Sequence, residues 1–397
     1  MKASYILGFA TLAAGAAVPT RFFNSTFHDA LYFLENNPAG ANIVAIPISS
    51  RDGTLSDPIR TPTGGNGLIG LNSQGQAVVD TLFSQDAVVV SGNHLLTVSP
   101  GSNTVSLFTI PESDPTHPML VGDAVSSGGD FPNTVAYSAR HRLACVANSG
   151  TRSAVQCYTV TSTGLRPVGT SMPLPLRNQT VPPLGPPNTV SDIAFNPEGT
   201  ALFVSIKGAT GVAGDPGYFY AYEVVGGRGA DHGAAINPEA RVSRPAELDI
   251  NFSLTFLGNR DRAFVSDPGF GGAFVEVGRD MKARVSLSIN VTGQAASCWS
   301  QYSERFGAVY VFDGGVADVT VLDAETMSVR PKLIGPATAG GKFDSVVANE
   351  YLYTLDAAAS ITAYSLAESR VVQTLDLSKF GNRQFFQGLA FYGNVRR

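Results

Sequence analysis

Residues 190–208 read VSDIAFNPEGTALFVSIKG. The pattern predicts a strand through Ile193 and Phe195, a tight turn at Asn196-Pro197-Glu198-Gly199, and a second strand from Ala201 to Ile206. Pro presets the backbone at the first corner of such a turn, and Gly accepts the positive φ that follows. Two β-rich runs joined this way form a hairpin. A lone hairpin leaves one face wet and is marginally stable, so the unit has to recur if it is to be buried.

It does recur. QDAVVVSGNHLLTVSPGSNTVSLFTI starts at Gln85, PNTVAYSARHRLACVANSGTRSAVQCYTV at Pro132 and NFSLTFLGNRDRAFVSDPGFGGAFVEV at Asn251. SCWSQYSERFGAVYVFDGGVADVTVLD starts at Ser297 and FDSVVANEYLYTLDAAASITAYSL at Phe343. Each is strand, polar turn, strand, Gly/Asp/Ser-rich turn, strand, and most add a weaker fourth strand such as Arg166-Pro167-Val168-Gly169. The period of about 43 to 62 residues is near that of four-stranded propeller blades. A seventh unit is split between the chain ends. DALYFLENNPAGANIVAIPIS from Asp29 lacks an inner strand, and Gln387-Gly388-Leu389-Ala390-Phe391-Tyr392 is an inner strand with nothing after it. Joining them leaves no open edge. The reading is an all-β, seven-bladed β-propeller closed by its N- and C-terminal strands in one blade.

Residues 1–17 carry Lys2, an apolar run over 5–14 and the small residues Ala14-Gly15-Ala16, the pattern of a secretory signal. The rest, 18–397, is expected to form one propeller domain, because each blade buries its faces only against neighbours. No later run reaches the roughly 20 apolar residues of a membrane span. With 27 Lys+Arg against 32 Asp+Glu, scattered along the chain, nucleic acid is not an expected partner. A secreted, extracellular or cell-wall monomer is expected. Sequons at Asn24, Asn178, Asn251 and Asn290 then read as glycosylation sites. Asn178 lies in a Pro-rich segment; Asn251 starts an inner strand, where burial would block it.

Cys145 and Cys157 fall on consecutive strands, equidistant from a turn near Thr151. Such spacing sets them across from each other, as a cross-strand disulfide in an oxidising compartment or as two buried thiols. Cys298, beside the only tryptophan, Trp299, has no histidine near it in sequence and reads as a buried thiol. Gly65-Asn66-Gly67-Leu68-Ile69-Gly70 matches GxGxxG, but Thr61-Pro62-Thr63 precedes it and no helical period follows. A dinucleotide fingerprint needs both a strand and a helix there, so the match reads as a loop. The five histidines, His28, His94, His117, His141 and His232, are dispersed and suggest no metal site. Three segments break the blade rhythm: 61–84, 173–188, and 208–217 with 226–245. Loops of this length tend to be functional, so specificity is expected there.

Inner strands of a propeller converge on a central channel. Their first residues should line its mouth: Gln85 and Asp86, Asn133, Ser191 and Asp192, Phe252, Trp299, Phe343 and Asp344, and Gln387. Asp192, Asp86 and Asp344 are the candidates for acid/base work or for holding a divalent cation. Asn133, Ser191, Trp299, Phe343 and Gln387 are the candidates for binding a small molecule. The alternative is that each residue hydrogen-bonds the backbone of a neighbouring blade. No cofactor is otherwise implied.

From about Leu31 to Tyr392 the sequence resembles the lactonase-type (6-phosphogluconolactonase-like) seven-bladed propellers, and among them the secreted fungal proteins of the 3-carboxymuconate cyclase-like group. The stretches that carry the resemblance are TGGNGLIGLN, DTLFSQDAVVVSGNHLLTVSPGSNTVSLF, FPNTVAYSARHRLACVANSG, SDIAFNPEGTALFVSIKG and SCWSQYS. The paired cysteines and the Cys298-Trp299 pair look like features of that branch. The resemblance implies a propeller, and an activity of lactone hydrolysis or cycloisomerisation. Relatives carry a histidine before the Pro-x-Gly turn, as in PHxxxFSPDG. Here the run is Ser191-Asp192-Ile193-Ala194-Phe195-Asn196-Pro197-Glu198-Gly199, without the histidine. No catalytic residue carries over by motif. Three functions stay open: a cell-surface or secreted glycoprotein that binds a cell-wall or host protein, a lactonase or isomerase acting through Asp192, and a binder of small apolar molecules through Phe252, Trp299 and Phe343.

Overall fold

The computed structural model describes residues 28–209, 216–226, 233–258 and 261–393. The signal segment 1–17, the sequon at Asn24 and His232 lie outside them. Seven antiparallel sheets form the blades of a propeller. Inner strands of six are Val88–Ser91, Pro132–Ser138, Val190–Phe195, Leu254–Phe256, Ser297–Ser303 and Lys342–Ala348. The remaining blade, here the first, runs Ile59–Pro62, Asn42–Ile48, Asp29–Glu35, Phe386–Tyr392, so the last strand of the chain is its inner strand. Leu31 faces Phe391 and Tyr32 faces Ala390 across that seam.

The hairpin in the fourth blade forms as its residues dictate. Gly199 adopts φ 68°, and its N–H donates to the Asn196 carbonyl at 2.8 Å. The Asn196 side chain accepts from Ala201 N at 2.8 Å, closing the turn from the other side. Strand Ala201–Ile206 is buried throughout. Leu202, Val204 and Ile206 pack with Cys145, Ala147 and Val155 of the third blade. Ala201 and Phe203, pointing the other way, pack with Leu254, Val265 and Ala273 of the fifth. The two-residue period of a strand thus feeds two inter-blade cores. In the first blade, Tyr32 and Leu34 join the core shared with the second blade, while Leu31 and Phe33 join Tyr353 and Ile361 of the seventh.

Cys145 and Cys157 are directly opposed in register, 4.0 Å apart at Cα, and form a disulfide. Cys298 is buried and free. Among the described residues no helix is long and apolar enough to cross a membrane. The outer side of the fourth blade is enlarged, since Ala234–Ile236 and Arg241–Ser243 both pair with Tyr218–Gly226.

Closure of the first blade is testable by truncation. A chain ending at Phe385 should expose the backbone edge of Asp29–Glu35, self-associate and lose its cooperative thermal transition. Size-exclusion chromatography with a melting curve reads both. A monomer that melts as the full chain does would refute the role given to the seam.

Candidate functional site

Five of the seven inner strands bulge near their first residues. The register skips Asn133, Ser191, Cys298 and Asp344, and on the closing strand Gly388 and Leu389 fall where only Phe33 lies opposite. A bulge frees a residue from the ladder and re-aims it. Here the freed groups reach the neighbours. Asn133 Nδ2 donates to the carbonyls of Leu82 at 3.2 Å and Val190 at 2.7 Å. Ser191 Oγ donates to the Asn251 carbonyl at 3.0 Å. Asp192 Oδ2 accepts from Leu254 N at 2.8 Å. Each of these three is engaged with the next blade in the ring, and Asn133 also with Leu82.

The mouth is filled by the chain itself. Residues 79–86 lie across it, and blades on several sides hold them. Val79 O accepts from Gln387 Nε2 at 2.9 Å, and Thr81 Oγ1 donates to the Gln384 carbonyl at 3.1 Å. Ser84 O accepts from Trp299 Nε1 at 3.3 Å, and Gln85 Oε1 accepts from Ser300 N at 3.1 Å. Gln85 N donates to the Ser191 carbonyl at 2.9 Å, and the Asp86 carbonyl accepts from Val135 N at 3.0 Å. Beneath this strap three aromatic rings stack, Phe252 on Trp299 at 5.0 Å and Trp299 on Phe343 at 4.8 Å between centroids. The crevice left between Asp80, Ser84, Trp299, Phe343 and Gln387 is about 170 Å³ and too narrow for a water molecule.

Two cations that sequence reading missed clamp the ends of the aromatic stack. Lys207 Nζ lies 4.5 Å from the Phe252 ring, and the Arg383 guanidinium 5.3 Å from that of Phe343. Lys207 is fully buried and donates to Phe83 O at 2.5 Å, Thr189 Oγ1 at 3.1 Å and Val190 O at 3.2 Å. Those three acceptors satisfy an ammonium, although burial pulls its pKa down to about 7. Arg383 donates to the carbonyls of Asp356 and Phe386, and burial lowers its pKa to about 10. Their only sequence signal is that Lys207 ends an apolar strand, which does not distinguish it from a surface lysine.

The rhythm-breaking loops meet over the mouth. Leu71–Asn72 and Leu184–Gly185 form a small parallel sheet, joining segment 61–84 to segment 173–188. The GxGxxG match is part of this cover. A Cβ on Gly67 would lie 2.2 Å from the Asn36 backbone, and one on Gly70 would lie 2.5 Å from the Phe83 ring. These glycines permit close packing and cradle no phosphate.

Burial raises all three candidate carboxyls. Asp86 is pushed up to about 7, and Asp192 and Asp344 well above the carboxylate range, with the Asp86 charge as the second cause for each. Asp192 Oδ1 and Asp344 Oδ2 have no hydrogen-bond partner among the described residues. Nor do any three His, Cys, Asp or Glu side chains among those residues group as metal ligands. Burial likewise raises the Cys298 thiol, away from the thiolate form that reacts. A roomier depression of about 630 Å³ lies at the opposite end of the inner strands, between Ser50, Arg51, Arg305, Glu350 and Tyr351. The sequence reading did not anticipate it.

No family model matches the chain, and no curated protein does. Solved structures do resemble it. A 6-phosphogluconolactonase candidate from Bacteroides fragilis superposes with TM-score 0.60 at 11% identity, over 93% of this chain and 99% of its own. One from Bacteroides uniformis gives 0.59 at 14%, over 92% of this chain and all of its own. A Lactobacillus plantarum protein gives 0.62 at 13%, over the same shares. At such identities the likeness establishes a shared lactonase-like propeller fold.

The buried carboxyls make stability depend on pH. Their folded pKa values lie above the unfolded ones, so the folded chain holds protons that the unfolded chain releases as pH rises from about 4 toward 7. Stability should therefore fall over that window. Lys207, with a folded pKa of about 7, opposes this trend as pH nears 7, because the unfolded chain keeps a proton that the folded one begins to lose. Differential scanning fluorimetry should give a melting temperature a few degrees higher at pH 4.5 than at pH 6.5, and Asp192→Asn should shrink the difference. A flat or rising profile would contradict these protonation states.

Proposed function

We propose that this protein is a secreted binding propeller that performs no chemistry at its channel mouth. The observation that carries this reading is the strap 79–86 over the Phe252–Trp299–Phe343 stack, which occupies the volume a substrate would need. Binding then falls to the outer surfaces of the blades. This includes the alternative that Asn133, Ser191, Trp299, Phe343 and Gln387 serve structure: each side chain is bonded or stacked within the protein, and a small molecule could reach them only if the strap moved. The sequons at Asn178 and Asn290 are exposed and suit a secreted glycoprotein. Asn251 is fully buried, and its Nδ2 donates to Ser205 Oγ at 2.8 Å and Tyr218 O at 3.3 Å, so a glycan does not fit there.

One observation favours a second reading. Asp192 and Asp344 each keep an unpartnered carboxyl oxygen at the mouth, as a lactonase or cycloisomerase with a movable strap would require. The two are separated by proton release from a panel of sugar and aliphatic lactones. The wild-type chain should show no turnover above buffer. Turnover that disappears in Asp192→Asn would overturn the binding reading in favour of the enzyme.

A further inference from the structure

Several surface arginines are tied to carboxylates: Arg60 to Glu35, Arg152 to Asp130, Arg330 to Asp323 and Arg370 to Glu368. One cluster departs from this. Arg241, Arg279 and Lys282 are exposed and, among the described residues, have no ion-pair partner. They converge on a cleft between the outer strands of the fourth and fifth blades.

The cleft is two grooves in series. The first, about 600 Å³, is lined by Arg241, Arg279 and Lys282 with Glu223, Asp280 and Thr200. The second, about 370 Å³, continues past Lys282 to Arg244, Ser243 and Glu247. Ala283 N donates to Ser243 Oγ at 3.2 Å between them, fixing one blade against the other. The turn that presents Arg279 and Lys282 is closed by Met281 N on Gly278 O at 2.8 Å and Gly278 N on Lys282 O at 3.0 Å. Asp280 is already held by Arg284 at 2.5 Å, so it does not neutralise the other cations. Arg244 lies 4.4 Å over the Tyr218 ring, which orients its guanidinium. In a chain of net charge −5, this is a local excess of cations over the carboxylates Glu223, Glu247 and Asp280.

We infer that this cleft binds an acidic polysaccharide. Two grooves sharing Lys282 suit an extended polymer better than a single small anion. Guanidinium forks match carboxylates in pairs of hydrogen bonds. Glu223 and Glu247 accept hydroxyls, as Thr200 and Ser243 also do, and DNA offers no free sugar hydroxyls along its chain to meet them. Among the described residues Met281 is the one large apolar side chain in the first groove, and the second adds only Val242, Pro245 and Val285, so the large apolar residues of an acidic peptide find little to anchor them. A uronic-acid polymer, which carries hydroxyls beside the carboxylate of each sugar, supplies both the charges and the hydroxyls.

The inference rests on the binding reading and deepens it. The full-length chain is titrated by biolayer interferometry against polygalacturonate, neutral dextran, polyglutamate and single-stranded DNA. Polygalacturonate should bind, weakening as NaCl rises from about 50 to about 300 mM, and the other three should bind at least tenfold more weakly. Arg241→Gln/Arg279→Gln should lose at least tenfold in affinity, Arg241→Lys/Arg279→Lys should stay within a few-fold, and Arg370→Gln should match wild type. No binding of polygalacturonate, equal binding of polyglutamate or DNA, or equal loss in the Arg370 control would overturn the assignment. Lactone turnover would sink the binding reading itself, whereas absent polysaccharide binding without turnover would sink this site alone.

Discussion

A blade of four strands has two apolar faces and no core of its own, and the rest of the structure follows from that. Alternate residues of one strand, such as Phe203 and Val204, belong to different cores on either side of the sheet. Removing a buried side chain the size of Phe203 would cost about 3–5 kcal/mol, and the loss would fall on two blades at once. A row of blades would leave a face of the first and of the last in water. The ring avoids this by placing the last strand of the chain inside the first blade, where Leu31 and Phe33 complete the core begun by Tyr353 and Ile361.

Ring closure brings the ends of the inner strands together, and that crowding shapes the mouth. Several strands lose a regular ladder where they converge, and the bulges at Asn133 and Ser191 release side chains that bond the next blade. The strap 79–86 uses the same groups as anchors. It covers a lysine, an arginine and several carboxyls, whose desolvation opposes folding. Hydrogen bonds to Lys207 and Arg383, and protonation of Asp192 and Asp344, offset much of that cost. Such an arrangement suits a sealed hub better than a site that must admit substrate.

Much of the fold was legible in the residues. The Asn-Pro-Glu-Gly turn, the recurrence of its flanking strands, the split blade and the opposed Cys145 and Cys157 are local or periodic signals, and each has a direct structural counterpart. The expected mouth residues lie near one end of the inner strands, although Gln85 and Asp86 belong to the strap and Phe252 precedes the strand Leu254–Phe256. What they do there was not legible. Trp299 meets Ser84, and Lys207 meets Phe83, across more than a hundred residues of chain. Such contacts leave no period in the sequence. The loops at 61–84 and 173–188 were recognised as exceptional, but their pairing over the mouth depends on ring geometry that neither segment encodes alone. The basic cleft escaped for the same reason. Arg241 and Arg279 look scattered along the chain and become neighbours only when blades four and five stand side by side.

Trp299 is the only tryptophan and sits under the strap, so its fluorescence reports directly on whether the mouth is filled. Acrylamide quenching of the native chain should be close to that of a tryptophan shut away from solvent, with blue-shifted emission, and should rise only on unfolding. Efficient quenching with red-shifted emission in the native state would show an open mouth and contradict the account.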